Sequence, residues 1–227
     1  MKNEVAGYLL HRGGCIESAY GYGSFYNYIF SEDGVYISAE NEFLSACIPA
    51  VNCQIRGLTK TEPRVELRKG KIPGVFFELT LNAALAKKEK EVYFAITWQD
   101  KYHLFMTGQD GSSGRVDYKT LDQTIMGLHT HPTFAARFSG DDDRDEQGFR
   151  LDAVIGRLDR TPEVSLRVGV YGYFWPLSWN QVFEGTLNGV RDTNSDIEEV
   201  LSVELSAGCD IQEGGAGRSW WDRLINR

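Results

Sequence analysis

Five side chains in this sequence have the types and the spacing to do chemistry together: Glu91, His129, His131, Ser139 and Asp142. His129 and His131 end the apolar run TIMGLHTH, residues 124–131, which reads as a strand. Side chains two apart on a strand project from one face, so the two imidazoles point together. Two imidazoles on one rigid element suit a zinc ion. A turn through Pro132 then leads to Asp142 at the head of an expected helix, where a carboxylate can reach back as a third ligand. Three protein ligands leave the fourth position of a tetrahedral zinc for water or substrate, which is the catalytic rather than the structural arrangement.

Such a site needs a base. Zinc lowers the pKa of bound water, and a carboxylate can take that proton and hand it to a leaving nitrogen. Glu91 is the candidate, because it opens EVYFAITW, a β-branched and aromatic segment that reads as a central strand after a helix. Its neighbours alternate toward core, so a charge there requires a reason. Ser139 has two readings at this level: a hydroxyl donor to the oxyanion of an attacked carbonyl, or the N-cap of the following helix. In the acidic run Asp141–Glu146 only Asp142 is placed to ligate. Asp141, Asp143 and Asp145 read as capping or surface charge, and Asp145 and Glu146 as first-turn acids that could also grip a basic substrate segment. His11 and His103 have no partner at a ligand spacing.

These residues need elements to hold them. Pro73 opens PGVFFELTLNAALAKKEK, whose apolar residues recur at helical spacing and whose lysines crowd the end, so the pattern predicts a helix over about 73–89. Strands are expected over EVYFAITW and over KYHLFMT, residues 101–107, with Gln99-Asp100 as the turn. GQDGSSG, residues 108–114, reads as a loop, and a second helix is expected over about 142–157. EVSLRVGVY, residues 163–171, alternates as a strand with Val164, Leu166, Val168 and Val170 on one face. Residues 1–66 read as a strand-rich leader with turns such as Asp33-Gly34. The aromatic cluster Tyr20, Tyr22, Phe25, Tyr26, Tyr28 and Phe30 reads as β packing rather than a ligand platform. Trp98, Trp175 and the Trp220-Trp221 pair read as core or interface anchors. After Pro176 the pattern weakens, with a strand or helix in 180–190, an acidic segment near 196–206, and a short helix or docked tail at SWWDRLINR.

Composition bounds the class. The chain has 227 residues, 42 % of them hydrophobic, which is enough to bury a real core. The 24 basic residues less the 32 acidic ones give a net charge of −8, which argues against phosphate-driven nucleic-acid binding. No segment reads as a signal peptide or a membrane span, so a cytoplasmic location is expected. The four cysteines form no Cys-x-x-Cys pair and read as reduced thiols.

The string HTHPTFAARFSGDD resembles the signature of the JAMM (JAB1/MPN/Mov34) metallopeptidases: His-x-His-Pro, six residues, then Ser-x-x-Asp, with an upstream Glu at the strand after the first helix. His129, His131, Ser139, Asp142 and Glu91 match every position of it. The resemblance implies one zinc per chain on His129, His131 and Asp142, with Glu91 and Ser139 catalytic. It implies an α/β fold of the cytidine-deaminase-like JAMM type, a curved mixed β-sheet flanked by helices, with the strand-rich N-terminal extension added. Residues 1–66 would form that extension, 67–175 the metallopeptidase core and 176–227 a C-terminal extension.

The implied activity is deubiquitinase-like: cleavage of a peptide or isopeptide bond after the C-terminal glycine of a ubiquitin-like modifier, by precursor processing or deconjugation. Within the family the likeness extends to bacterial members of the PRTRC cassette, through KIPGVFFELTL, FSGDDDRDEQGF and VIGRLDRTPEVSLRVGVYGYF. A deconjugase of a bacterial ubiquitin-like conjugation operon is the related reading. Either implies partnership with a ubiquitin-like protein or its conjugates and with an E1/ThiF-like protein. Two rivals stand beside it: a two-metal hydrolase built on the acidic run, and a non-catalytic JAMM-fold scaffold.

Overall fold

The structure is a computed structural model and describes residues 4–106, 109–111, 116–118, 121 and 123–195. The expected acidic segment near 196–206, the SWWDRLINR tail, Cys209 and most of the 108–114 loop lie outside the described residues. Residues 1–195 form one compact unit built on two large sheets.

The first sheet comes from the leader. Its strands are β1 (Ala6–Arg12), β2 (Cys15–Ser18), β3 (Tyr26–Ser31), β4 (Gly34–Glu40), β5 (Leu44–Asn52) and β6 (Arg64–Leu67), in the order β2-β1-β3-β4-β5-β6. All neighbours are antiparallel except β1 and β3. The alternation of β4 and β5 buries Ile37, Leu44 and Ile48 almost completely, as a sheet with one covered face requires. Of the aromatic cluster, Tyr26 and Tyr28 pack against Tyr171 and Tyr173, with ring centroids 5.1 and 6.2 Å apart. Tyr20, Tyr22 and Phe25 are exposed.

One long helix follows, α1 (Gly74–Ala86). It ends before the lysine cluster: Lys87 is the C-cap, its N–H donating to the Ala84 carbonyl, so the expected cations lie beyond the helix rather than in its last turn. The chain then forms β7 (Tyr93–Gln99), β8 (Lys101–Met106), the small hairpin β9 (Gln109–Gly111) and β10 (Val116–Tyr118), and β11 (Thr124–His131). A short helix α2 (Gly140–Asp145) precedes β12 (Phe149–Gly156), β13 (Glu163–Val170), β14 (Tyr173–Leu177), a single turn α3 (Trp179–Val182) and β15 (Arg191–Asp192). The second sheet has the order β14-β13-β12-β11-β7-β8, with β15 joined to the end of β13.

Two expectations are corrected here. The sheet was expected to be curved and flanked by helices. It is mixed, but neither sheet is curled or closed; each runs as an open ladder between two edge strands. The flanking is sparse, since α1 has 13 residues, α2 six and α3 four. The second correction is the helix expected over 142–157. It stops at Asp145, and residues 149–156 are a strand. The reason is burial on both faces: β12 lies parallel to β11 and antiparallel to β13, and Leu151, Ala153, Val154 and Ile155 are all fully buried. A strand covered on both sides is a continuous apolar run, whose periodicity does not separate it from a buried helix.

The loop between β11 and α2 rests on the end of β12. The Arg157 N–H donates to the Phe134 carbonyl at 2.8 Å, and the Ala136 N–H points at Glu163 Oε2 at 3.4 Å. Glu163 is in turn paired with Arg157 Nε at 2.9 Å and with Arg191. Gly156 makes this approach possible, because a Cβ there would fall on the backbone of Ala135 and Ala136. No helix among the described residues is long and apolar enough to cross a membrane. Gly156→Ala is therefore expected to cost about 1–3 kcal/mol, the range for overpacking a tight site. Gly148→Ala, where a Cβ meets nothing within 4 Å, is the near-neutral control, with both read by denaturant unfolding.

Candidate metal centre

The centre is set by strand register. In the antiparallel pair of β7 and β11, His129 lies opposite Tyr93. Continuing that register by two residues puts Glu91 opposite His131, just beyond the end of β7. Two bonds keep the strands together there: the Thr130 N–H donates to the Val92 carbonyl at 3.1 Å, and the Val92 N–H donates to Thr130 Oγ1 at 3.0 Å. Glu91 Oε1 consequently stands 4.0 Å from His131 Nε2. On the other side β11 runs parallel to β12, which buries His129 in the sheet.

The two rings lie together, centroids 5.1 Å apart and tilted by 57°. His131 Nδ1 is 3.1 Å from the Ala135 carbonyl. A carbonyl accepts only, so Nδ1 carries a hydrogen, which is the tautomer that presents Nε2 as the ligand atom. The loop that follows the strand thus sets the tautomer of its last ligand candidate.

Asp142 arrives from α2. Ser139 caps that helix in a reciprocal box: Asp142 N–H donates to Ser139 Oγ at 3.2 Å, and Ser139 N–H donates to Asp142 Oδ2 at 2.6 Å. Oδ1 is then aimed at His129 Nε2, 3.3 Å away. The box therefore does more than end a helix; it fixes the carboxylate that faces the histidines. The N-cap reading of Ser139 is realised.

The ligand atoms of His129, His131 and Asp142 all lie within 4.8 Å of one another, a three-residue cluster capable of coordinating a metal ion. Their charge states suit a cation. Burial pushes His129 down to about 4, against the opposing pull of Asp142, so its ring is neutral at pH 7. Burial raises Asp142, but His129 and the Ser139 N–H and hydroxyl outweigh it and hold the carboxyl below the usual range. His129 Nε2 is buried with no hydrogen-bond partner. An orphaned buried acceptor is costly, and a cation between Nε2 and Oδ1 would satisfy it.

Glu91 is 7 % exposed. Burial first, and then the Asp142 charge, push its pKa up to about 7. Beneath the ligands lies a cluster the sequence reading did not find. Arg167 is held between the rings of Phe138 and Phe174, its guanidinium carbon 3.7 and 3.8 Å from their centroids. It donates to Asp143 Oδ1 at 2.5 Å and to Glu146 Oε2 at 2.7 Å. Glu146 was read as a first-turn surface acid, yet it is 3 % exposed, and its Oε1 lies 3.6 Å from His129 Nδ1. Asp152 is fully buried and takes a 2.8 Å bond from Arg150 Nε. Burial and the adjacent Asp152 push Glu146 up to about 8. The signal for Glu146 was its spacing: four residues after Asp142 is one helical turn, hence the same face.

Elsewhere, His11 Nδ1 pairs with Thr61 Oγ1 at 2.8 Å, and His103 Nε2 lies 3.3 Å from the Gln99 carbonyl. The three described cysteines, Cys15, Cys47 and Cys53, are free thiols. Among the described residues, His129, His131 and Asp142 are the one such ligand grouping.

The raised carboxyl has a stability consequence. When the folded pKa lies above the unfolded one, the folded state holds the extra proton, and its stability falls as pH rises from the unfolded to the folded value. For Glu91 that window runs from 4.5 to about 7. Metal-free Glu91→Gln is therefore expected to gain on wild type between pH 5 and pH 8, by on the order of 2–3 kcal/mol. Urea unfolding with chelator present at both pH values reads the difference.

No protein-family model matches this chain, and no curated protein matches it.

Proposed function

We propose that this chain is a zinc metallopeptidase that cleaves after the C-terminal glycine of a ubiquitin-like modifier. The observation that carries the reading is the convergence of two imidazoles and one carboxylate within 4.8 Å, with Glu91 just ahead of the neighbouring strand. The substrate class rests on the likeness of HTHPTFAARFSGDD and Glu91 to the JAMM metallopeptidases.

The residues fit one zinc. His129 and His131 offer Nε2, Asp142 offers Oδ1, and three such ligands leave a position for substrate or water. Zinc held there supplies Lewis acidity, lowering the pKa of water and polarising a carbonyl. Glu91, with a pKa of about 7, is matched to act as base and then as acid at neutral pH. It takes a proton from the attacking water as the new C–O bond forms. It returns that proton to the leaving nitrogen as the C–N bond breaks, and a carboxylate and a free amine result. The Ser139 hydroxyl, held beside Asp142 by the capping box, donates to the oxygen on which negative charge develops. A nearby metal would favour ionised Glu91 before the reaction and so support the base role.

The test is mass spectrometry of a reaction between zinc-loaded protein and a ubiquitin-like protein extended by a short C-terminal tail. Wild type is expected to release the tail after the terminal glycine of the modifier, while Glu91→Gln keeps its zinc and releases none. Full cleavage by Glu91→Gln would remove Glu91 as the base. A wild type that binds one zinc yet cuts neither a tail nor an isopeptide conjugate would favour the scaffold reading.

Ser139→Ala separates the two roles of that residue. It is expected to keep zinc and to lose about 1 kcal/mol of cap stability, with turnover falling by about 10²–10³ if the hydroxyl also serves the oxyanion. A stability loss with unchanged turnover assigns Ser139 to the cap alone.

A further inference from the structure

The two oxygens of Glu146 face different partners. Oε2 accepts from Arg167 Nη2 at 2.7 Å, and Oε1 is turned toward His129 Nδ1 at 3.6 Å. The opposite ring nitrogen, Nε2, is the buried, unpartnered atom that faces Asp142. Which nitrogen of a neutral imidazole keeps its lone pair is decided by what the other one donates to. For His131 that acceptor is the Ala135 carbonyl. For His129 the corresponding place is filled by Glu146.

We infer that Glu146 is a positioning residue for the metal, accepting from His129 Nδ1–H so that Nε2 is presented to the cation, with Arg167 holding the carboxylate in place. The inference rests on the metal reading above and deepens it. Metal-bound histidines generally donate their second ring N–H to a carboxylate or carbonyl, and removing that acceptor typically costs about 10–100-fold in metal affinity. A separation of 3.6 Å is longer than a formed hydrogen bond, so the role requires the ring to tilt toward Glu146 when the metal is held.

The fold supports this placement at three points. The Glu146 N–H donates to the Asp142 carbonyl at 2.8 Å, so the third ligand and this acceptor sit on one helical turn. Arg167 cannot swing away, because Phe138 and Phe174 cover both faces of its guanidinium. Phe138 also lies edge-on to His129, centroids 6.1 Å apart, which limits the directions in which that ring can tilt.

Glu146→Gln is a discriminating change because it keeps the volume. Its single oxygen must serve Arg167, which only donates. The amide NH2 then faces His129 Nδ1 and favours the tautomer with hydrogen on Nε2, the ligand atom. Asp141→Asn is the control: it removes an exposed charge of the same helix, paired with Arg144, and leaves the Arg167 clamp and Glu146 intact.

The experiment measures zinc affinity of the full chain by chelator competition, together with 15N-histidine NMR of the zinc-loaded protein. Wild type is expected to bind zinc with His129 ligating through Nε2 and a protected Nδ1–H resonance. Glu146→Gln is expected to lose about 10–100-fold in affinity and that protected resonance, with Asp141→Asn unchanged in both. Wild-type affinity in Glu146→Gln, or an affinity loss with the Nδ1–H resonance intact, overturns the inference while leaving the zinc site standing. If the Gln variant does not fold, the wild-type spectrum still decides, since an Nε2–H on His129 refutes the role. A wild type that binds no zinc removes the metal reading and this inference with it.

Discussion

The structure around the centre depends on one buried cation. Arg167 projects from the middle of β13 and is 6 % exposed. A guanidinium cannot shed its charge in such a place, so it must be paired and covered. Its surroundings answer that demand from two directions. Asp143 supplies a counter-charge and Glu146 an accepting carboxyl oxygen from the α2 segment, and Phe138 and Phe174 supply the stacked faces from the loop and from β14. Satisfying Arg167 therefore draws the segment from Phe138 to Glu146 down onto the sheet. Ser139 and Asp142 lie within that segment. A six-residue helix has little stability of its own, so the location of Asp142 is owed to this pairing more than to helix propensity.

The strand side of the centre follows a different rule. His129 and His131 sit at the end of a central strand of the second sheet, between an antiparallel and a parallel neighbour. A one-residue slip would turn both rings to the other face, and the buried neighbours on either side oppose any slip. Gly127, two residues before His129 on the same face, shows how tight the interior is: a Cβ there would crowd the Tyr93 hydroxyl and Asp152. Glu91 gains its position from this register rather than from any contact of its own, which is how a carboxylate comes to lie near a histidine with little solvent around it.

Much of this was legible in the sequence, for identifiable reasons. The His-x-His pair is informative because the strand period is two, and Asp142 because a capping serine stood three residues before it. β11 and β13 were read correctly, each having an alternating or apolar pattern of ordinary strand length. The segment 149–156 was misread because burial on both faces erases alternation. The expected curvature of the sheet and its helical flanks came from likeness to a family, and the open ladder with one long helix does not bear them out. Glu146 was hidden by composition: within an acidic run each member looks like solvated charge, and only the i, i+4 relation to Asp142 set it apart. The matching cation, Arg167, lies some twenty residues away in sequence in an alternating strand, where nothing local marks it as buried.

The charge balance of the centre ties these parts together. Glu146 and Asp152 are both buried, and each is pushed upward first by its own desolvation. Arg150 and Arg167 oppose that shift and keep the carboxyl cluster from repelling itself apart. A step outward, the ion pairs recorded for Glu91 and Asp142 among the described residues are with two imidazoles, one of them neutral through burial. The inner layer is thus neutralised by fixed cations, whereas the outer layer is built, among the described residues, from carboxylates and imidazoles. That asymmetry is why the cluster of His129, His131 and Asp142 is able to coordinate a metal ion, whereas on the acidic run at the surface water already solvates each carboxylate.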